Sequence, residues 1–144
     1  MDGNGFIALA GKLAVAPAAD EATYRTAVSR AYYGAFHVAR SFLEELGFQP
    51  VRNANVHGFV AQYLIASQQT DARVAAVELG DLQAARNRAD YDLKNVRAAS
   101  RDFAMTCVEQ AHRIVAALDV CRRDDARDSI RQAIAEYEQR IRPR

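Results

Sequence analysis

The stretch richest in chemically active side chains is Arg86-Asn87-Arg88-Ala89-Asp90-Tyr91. On a helix, residues four apart lie one above the other, so Arg86 and Asp90 share a face while Arg88 projects elsewhere. A guanidinium held by a carboxylate is rigid and still has donors for a phosphate group. The alternative is an ordinary ion pair on a solvated face, which stabilises a helix by roughly 0.3–0.5 kcal/mol. The stretch is therefore a candidate phosphate-binding site.

Composition predicts a helical protein without a membrane anchor. Of 144 residues, 50% are hydrophobic, and only seven are Gly and three Pro. No apolar run is long enough to cross a bilayer, and the amino terminus lacks a signal pattern. Cys107 and Cys121 lie about 21 Å apart if both are on one helix, so they cannot pair there. We therefore expect a soluble, cytoplasmic protein in a reducing compartment.

Charge and ligand spacing exclude several classes of protein. The net charge is only +1, so the molecule as a whole does not behave as a basic nucleic-acid binder. No pair of His or Cys has zinc spacing with two further ligands, and there is no Gly-rich phosphate loop. We expect neither a metal nor a cofactor.

Hydrophobic periodicity predicts six helices and no strands. They cover about residues 3–15, 21–46, 57–67, 71–91, 95–121 and 124–142. Asp20 is the predicted amino-terminal cap of the second helix, and Gly47 follows its carboxyl end. Thr70 or Asp71 is expected to cap the fourth helix, and Asn95 to begin the fifth.

These helices must position the candidate site. The second helix has a wide apolar face that must be covered on two sides, as in a bundle. In the fourth helix, Val74 and Val77 are expected to be buried, and the small Ala85 and Ala89 would bring Arg86 close to a neighbouring helix. In the sixth helix, the narrow edge that includes Ile130, Ile134 and Tyr137 suits packing on the outside of the bundle or on a partner chain.

Two separated motifs resemble the HEPN family of small helical proteins. They are Arg30-Ala31-Tyr32-Tyr33-Gly34-Ala35-Phe36-His37 and, after His57, Arg86-x-x-Ala89-Asp90-Tyr91. The likeness covers roughly residues 3–118. It implies an all-α, up-and-down bundle of four or five helices with an extra carboxy-terminal helix. The domain prediction is accordingly a HEPN-like bundle at 1–121 and a charged helix at 122–144, packed on the bundle or on a partner.

The resemblance also implies a function. Many HEPN proteins are homodimers and metal-independent endoribonucleases of toxin–antitoxin or defence systems, often paired with a nucleotidyltransferase antitoxin. Their nuclease motif is an Arg, four to six residues, and a His. The Arg would neutralise the phosphate charge and the His would move a proton. Arg86 and the polar Asn87 match the motif, but the three positions allowed for the His hold Tyr91, Asp92 and Leu93.

The candidate functional residues follow from both lines of reasoning. Candidates for catalysis are Arg86, Asp90, Tyr91 and His57. Candidates for binding RNA or a nucleotide at a dimer cleft are Arg86, Asn87, Arg88, Tyr91, Arg30 and His37.

Each candidate has a structural alternative. His37 is expected to be a core or interface histidine, and Tyr91 could simply pack over the end of the bundle. Arg52 with His57, and Arg30 with His37, also fit the bare motif, a match expected by chance in so Arg-rich a chain. The predicted function is an RNA-binding protein, either an endoribonuclease or a weakened descendant. The alternative is a non-catalytic dimeric adaptor for a nucleotidyltransferase or another partner, bound through the last helix.

Overall fold

Six α-helices and one short 3₁₀ turn make up the fold of the described residues, 2–51 and 55–141 of the computed structural model, and no strand occurs in this part of the chain. The predicted all-α bundle is confirmed. The helices, in order, are α1 (Gly3–Ala14), α2 (Glu21–Glu45), α3 (Val56–Ala66), α4 (Thr70–Tyr91), α5 (Arg101–Cys121) and α6 (Asp124–Ile141).

Two predicted ends of α2 are confirmed and the predicted cap of α4 is wrong. The Asp20 carboxylate accepts a hydrogen bond from the Thr23 amide at 2.9 Å, and Gly47 has a φ of +95°, the left-handed conformation that glycine adopts without strain. In α4 the amino-terminal cap is Gln69, whose side-chain oxygen accepts a hydrogen bond from the Asp71 amide at 2.6 Å.

The connection from α4 to α5 also differs from the prediction. Asn95 does not begin α5. Its side-chain oxygen accepts from the Ala98 amide at 3.1 Å and so caps the 3₁₀ turn at Arg97–Ala99. Ser100 caps α5 instead, accepting from the Phe103 amide at 3.1 Å. Val96 begins the apolar stripe of the helix predicted at 95–121, but it is 84% exposed because it falls in this connection.

Helix α2 lies at the centre of the bundle and packs against α1, α3, α4 and α5. Its partners α1 and α4 run antiparallel to it. Gly3 at the start of α1 lies against Gly34, late in α2, whereas Asp90 at the end of α4 lies against Ser29, early in α2. The carboxyl end of α4 and the amino end of α2 therefore lie at the same end of the bundle.

The buried face of α4 is only partly the predicted one. Ala85 and Ala89 are buried as expected, at 5% and 1% exposure, and bring the backbone of α4 close to α2. Val74 and Val77 are exposed by 47% and 63%. They face away from the core because Leu79 and Leu82, together with the buried alanines of α4, fill its interface with α2, α3 and α5.

The apolar edge of α6 is covered within the same chain. Ile130 and Ile134 are fully buried, and α6 packs on α3 and α5. The Tyr63 hydroxyl of α3 donates to the Glu138 carboxylate at 2.8 Å, and the Tyr137 ring lies edge-on to the Tyr63 ring. This edge is therefore not free to bind another protein.

One buried arginine ties α2 to the end of α4. The Arg25 side chain is 8% exposed, pairs with Glu21 at 2.9 Å, and donates to five backbone carbonyl oxygens at 2.9–3.3 Å. The acceptors are the carbonyls of Arg88, Ala89, Asp92, Leu93 and Asn95. Carbonyls in the last turn of a helix, such as that of Ala89, have no partner within the helix, and this guanidinium supplies one. It also holds the chain that follows α4 through the carbonyls of Asp92, Leu93 and Asn95.

Substituting Gly34 tests the close approach of α1 and α2. A Cβ at position 34 would lie 2.7 Å from the Gly3 carbonyl oxygen and 2.5 Å from the Ile7 side chain. Gly34→Ala should therefore lower the free energy of unfolding by about 1–3 kcal/mol. Gly80→Ala is the control, because nothing lies within 4 Å of that Cβ in the described structure, and it should raise stability by about 0.5–1 kcal/mol. Urea unfolding measures both, and equal effects would contradict this packing.

Substituting Arg25 tests the link between α2 and α4. Arg25→Met keeps the aliphatic bulk but leaves the five carbonyls without this donor, so the free energy of unfolding should fall by about 2–4 kcal/mol. Arg101→Ala removes an exposed guanidinium and should change stability by less than about 0.5 kcal/mol. Amide exchange of residues 92–96 should speed up in Arg25→Met; unchanged exchange there would refute the link.

Candidate functional site

The ion pair expected from the spacing is present. Arg86 Nε lies 2.8 Å from Asp90 Oδ2, and the two side chains are 17% and 27% exposed. Arg86 also donates from Nη1 to Asn87 Oδ1 at 3.1 Å and from Nη2 to the Tyr33 hydroxyl at 2.8 Å. Nη2 also donates to the Tyr91 hydroxyl at 3.4 Å. A guanidinium has five N–H donors, so these contacts leave one donor, on Nη1, for a ligand.

Arginines and aromatic rings alternate across the surface above α2. The Arg30 guanidinium carbon lies 5.3 Å from the centroid of Phe6 and 5.2 Å from that of Tyr33. The Arg86 carbon lies 5.1 Å from the Tyr33 centroid and 5.3 Å from the Tyr91 centroid. This series, which we call the arginine–aromatic ladder, holds both guanidiniums by cation–π contacts while leaving their edges available for hydrogen bonds.

The ladder borders an open cavity of about 290 Å³ between α1, α2 and α4. We call it the arginine pocket, and its lining residues are Phe6, Ser29, Arg30, Tyr33, His37, Arg86 and Asp90. Two guanidiniums face one carboxylate, an excess of one positive charge when His37 is neutral. Such an excess beside hydroxyl groups favours an anion with several acceptor oxygens, such as a phosphate.

Hydrogen bonds connect the two arginines. Ser29 Oγ donates to Asp90 Oδ2 at 3.3 Å and accepts from Arg30 Nη2 at 3.4 Å. Burial alone would lower the pKa of Arg86, but Tyr33, Asp90 and Tyr91 outweigh it and raise that pKa above its ordinary value. Arg86 is therefore charged at every physiological pH.

His37 lies at the edge of the arginine pocket, half-buried. Its ring stacks on Phe6 with centroids 5.9 Å apart and meets Phe36 edge-on. Burial, and then the charges of Arg40 and Arg30, lower its pKa below the ordinary histidine value. The imidazole is therefore neutral near pH 7. His37, predicted both as a candidate for RNA binding and as a core or interface histidine, thus lines the same pocket as Arg30 and Arg86.

His57 lines a separate cavity of about 470 Å³ with Gln62 and Gln83. Its Nδ1 forms a hydrogen bond with the hydroxyl of the buried Tyr32. Burial, followed by the charges of Arg86 and His37, lowers the pKa of His57. Arg52, its partner in the bare motif, lies outside the described residues.

The remaining predicted residues are divided between the ladder and other surfaces. Tyr91 ends the ladder and is 72% exposed. Asn87 contacts Arg86 but does not line the arginine pocket. Arg88 points elsewhere, as its spacing indicates, and its charge acts on Cys107 of α5 by opposing the rise in that thiol's pKa that burial causes.

Sequence reasoning missed Phe6, Ser29 and Tyr33 as site residues. A signal was present in α2, where Arg25, Ser29, Tyr33 and His37 form a row of polar or aromatic residues at every fourth position. Phe6 belongs to a different helix, and no spacing within α2 could have identified it.

The described ranges, 2–51 and 55–141, contain neither a metal-binding cluster nor a membrane-spanning helix. No three His, Cys, Asp or Glu side chains in these ranges are placed to hold one metal ion. None of the helices in these ranges combines the length and hydrophobicity needed to cross a bilayer.

A family comparison identifies the class of protein that this bundle and site define. The model of the HEPN domain matches residues 16–121, which include α2 to α5 and most of the arginine pocket. The chain belongs to the HEPN domain family, as its two motifs indicate. No curated protein and no solved structure shows a significant match.

The lowered pKa values of His37 and His57 predict how stability depends on pH. Both folded-state values lie below the unfolded value of about 6.5. The unfolded chain therefore binds more protons, and the free energy of unfolding should fall as the pH drops through 6.5 towards the folded values. The double variant His37→Gln/His57→Gln should lose less stability over this interval. Denaturant unfolding at a series of pH values measures this; a variant as sensitive as the wild type would disprove it.

Proposed function

We propose that this HEPN-domain protein binds RNA or a nucleotide by a phosphate group in the arginine pocket. It acts there as a metal-independent endoribonuclease or as a weakened descendant of one. The observation that carries the proposal is that Arg30 and Arg86, both stacked on Tyr33, converge on one open cavity with a single carboxylate.

The geometry suits a phosphate better than a carboxylate ligand. Arg86 is held by Asp90, Asn87, Tyr33 and Tyr91, so it presents its remaining donor with little loss of side-chain entropy. Arg30 has one hydrogen bond to protein, at 3.4 Å, among the described residues, and can turn more donors towards a ligand. Two planar guanidiniums match the several oxygens of a phosphate, and both neutralise the negative charge on those oxygens.

The exposed end of the ladder favours RNA or a nucleotide over inorganic phosphate. Tyr91 is 72% exposed, and its ring is held near Arg86. Single-stranded RNA binds proteins by stacking its bases on such aromatic rings and on arginine planes while its phosphates meet basic groups. A base on Tyr91 and its phosphate in the arginine pocket would use both features together.

A homodimer and a place in a toxin–antitoxin or defence system, with a nucleotidyltransferase as partner, are further parts of this proposal. Support for an interface beside the site comes from the connection after α4. Leu93 and Val96 are 69% and 84% exposed there, next to the exposed Tyr91, while Arg25 fixes the backbone behind them. Apolar side chains on a rigid backbone suit a protein interface. The adaptor alternative, which used the apolar edge of α6, has lost its support because that edge is buried.

Arg86→Ala tests the site. Loss of a charge-assisted contact to phosphate should weaken binding of a short single-stranded RNA by about 10- to 100-fold, and any RNA cleavage in EDTA should disappear. Arg88→Ala removes a guanidinium two residues away in the same helix, outside the pocket, and should weaken binding by less than about threefold. Fluorescence anisotropy with labelled RNA measures both. Equal losses in the two variants would mean that α4 attracts RNA by charge alone, which would rule out the pocket.

A further inference from the structure

We propose that the cavity lined by His57, Gln62 and Gln83 binds one base of the RNA, and that it prefers a base with carbonyl oxygens over one with an amino group. We call this space of about 470 Å³ the glutamine cavity. The inference rests on the proposed function, because the phosphate in the arginine pocket is what holds the RNA beside it. It adds a preference among bases, which phosphate contacts alone cannot give.

The glutamine cavity is a neighbour of the arginine pocket. Gln83 precedes Arg86 by three residues, so the two side chains share a face of α4. The Tyr33 ring lies under Arg86 and meets the Tyr32 ring with centroids 5.3 Å apart, and the Tyr32 hydroxyl is hydrogen-bonded to His57. Two such adjacent sites are what the base and the phosphate of a bound RNA strand require.

The two cavities differ in charge as a base differs from a phosphate. The arginine pocket has an excess of positive charge, whereas no Asp, Glu, Lys or Arg lines the glutamine cavity. Burial, followed by the charges of Arg86 and His37, lowers the pKa of His57, so its imidazole is neutral near pH 7. An uncharged cavity with several polar groups suits a nucleobase, which is itself uncharged near pH 7.

Two amide groups at this cavity are not used within the protein. Within residues 2–51 and 55–141, the Gln83 side chain makes no hydrogen bond. Gln62 Oε1 accepts from the Tyr137 hydroxyl at 3.4 Å, but the Gln62 amide nitrogen has no acceptor in the same ranges. Both amides can therefore bind a ligand without first breaking a strong protein hydrogen bond.

His57 adds a donor to these amides. Tyr32 is buried, and burial raises its pKa far above the ordinary value, so its hydroxyl keeps the proton. Its hydrogen-bond partner within the described residues is His57 Nδ1, and a buried hydroxyl must donate. Nδ1 is then the acceptor, and Nε2 carries the hydrogen. No protein acceptor for Nε2 occurs in the described part of the chain.

The balance of donors and acceptors sets the expected preference. His57 offers one N–H donor, and the Gln62 and Gln83 amides offer two each. Of their oxygens, Gln83 Oε1 is the one without a protein donor in the described structure. Carbonyl oxygens of a base accept from such donors, whereas an exocyclic amino group needs an acceptor. We therefore expect uracil to bind better than cytosine, and a purine with a carbonyl at C6 better than adenine.

The cavity also has an aromatic wall and free space. Phe59 is half-buried, with its ring stacked on that of Tyr63 at 3.9 Å between centroids, and it lines the glutamine cavity. Aromatic side chains commonly pack against RNA bases. Gly58 lies beside it in α3, and nothing in the described structure lies within 4 Å of where its Cβ would be. A base therefore has room at this position.

The test measures base preference with the full chain in EDTA. The probes are labelled 2′-fluoro pentanucleotides of uridine, cytidine, inosine and adenosine, which have equal charge and cannot be cleaved through a 2′-oxygen. Uridine and cytidine differ by a carbonyl against an amino group at C4, and inosine and adenosine differ in the same way at C6. In fluorescence anisotropy, the wild type should bind uridine about 5- to 50-fold more tightly than cytidine, and inosine likewise more tightly than adenosine.

Two variants test whether the glutamine cavity is the source of this preference. Gly58→Leu adds a side chain that fills the cavity, and both affinity ratios should fall to within about twofold of unity. Gln83→Leu removes one free amide at similar size and should lower both ratios as well. It also keeps the test decisive if Gly58→Leu does not fold, which circular dichroism shows.

Two further variants are the controls. Gly80→Leu adds the same side chain as Gly58→Leu at an equally open helix position outside both cavities, so it should keep the wild-type ratios. Arg86→Ala should weaken binding of all four probes by similar factors, because each probe has the same phosphates.

The contrary results are distinguishable. Failure of the wild type to bind any of the four probes would refute the proposed function, and this inference with it. Equal binding of all four, or tighter binding of cytidine and adenosine, would overturn the inference and leave phosphate binding standing. So would a preference that persists in folded Gln83→Leu and Gly58→Leu, because the base would then be read elsewhere. Loss of the preference in Gly80→Leu as well would also overturn it, since the effect would not be specific to the cavity.

Discussion

The buried Arg25 guanidinium is the contact on which the position of the site depends. It joins the first turns of α2 to five carbonyl oxygens at and beyond the end of α4. Arg86 and Asp90 lie within the last two turns of that helix, so their distance from α2 is set by this contact and by the small Ala85 and Ala89 beneath them. A positive charge suits the carboxyl end of a helix, where the dipole is negative.

A second constraint is the presence of two like charges in one cavity. Arg30 and Arg86 would repel each other if they were held there by packing alone. The Tyr33 ring accepts a cation–π contact from both, and Asp90 offsets one of the two charges. The remaining excess is what an anionic ligand would neutralise. The same features that stabilise the pocket therefore leave it with an excess positive charge, which suits the phosphate that we propose as its ligand.

The site shows why family membership and activity are separate questions. The chain belongs to the HEPN family, yet the positions after Arg86 at which the nuclease motif has its His hold Tyr91, Asp92 and Leu93. Chemistry depends on which groups meet in space and not on their order in the chain. In the folded protein a histidine from α2 lines the same cavity as the arginine of α4, although the two residues are far apart in the sequence.

Sequence alone determined the six helices, most of their ends and the Arg86–Asp90 pair, because these depend on contacts within three or four residues along one helix. It also indicated the family through two spaced motifs. The sequence placed the start of α5 too early, because Arg25 of α2 holds the chain that precedes this helix. It also predicted that Val74 and Val77 are buried, whereas the leucines and alanines of α4 occupy the buried face instead. Only the tertiary structure decided that one pocket contains Phe6, Arg30, His37 and Arg86. These residues come from three helices, and no local sequence pattern determines how those helices are rotated relative to one another.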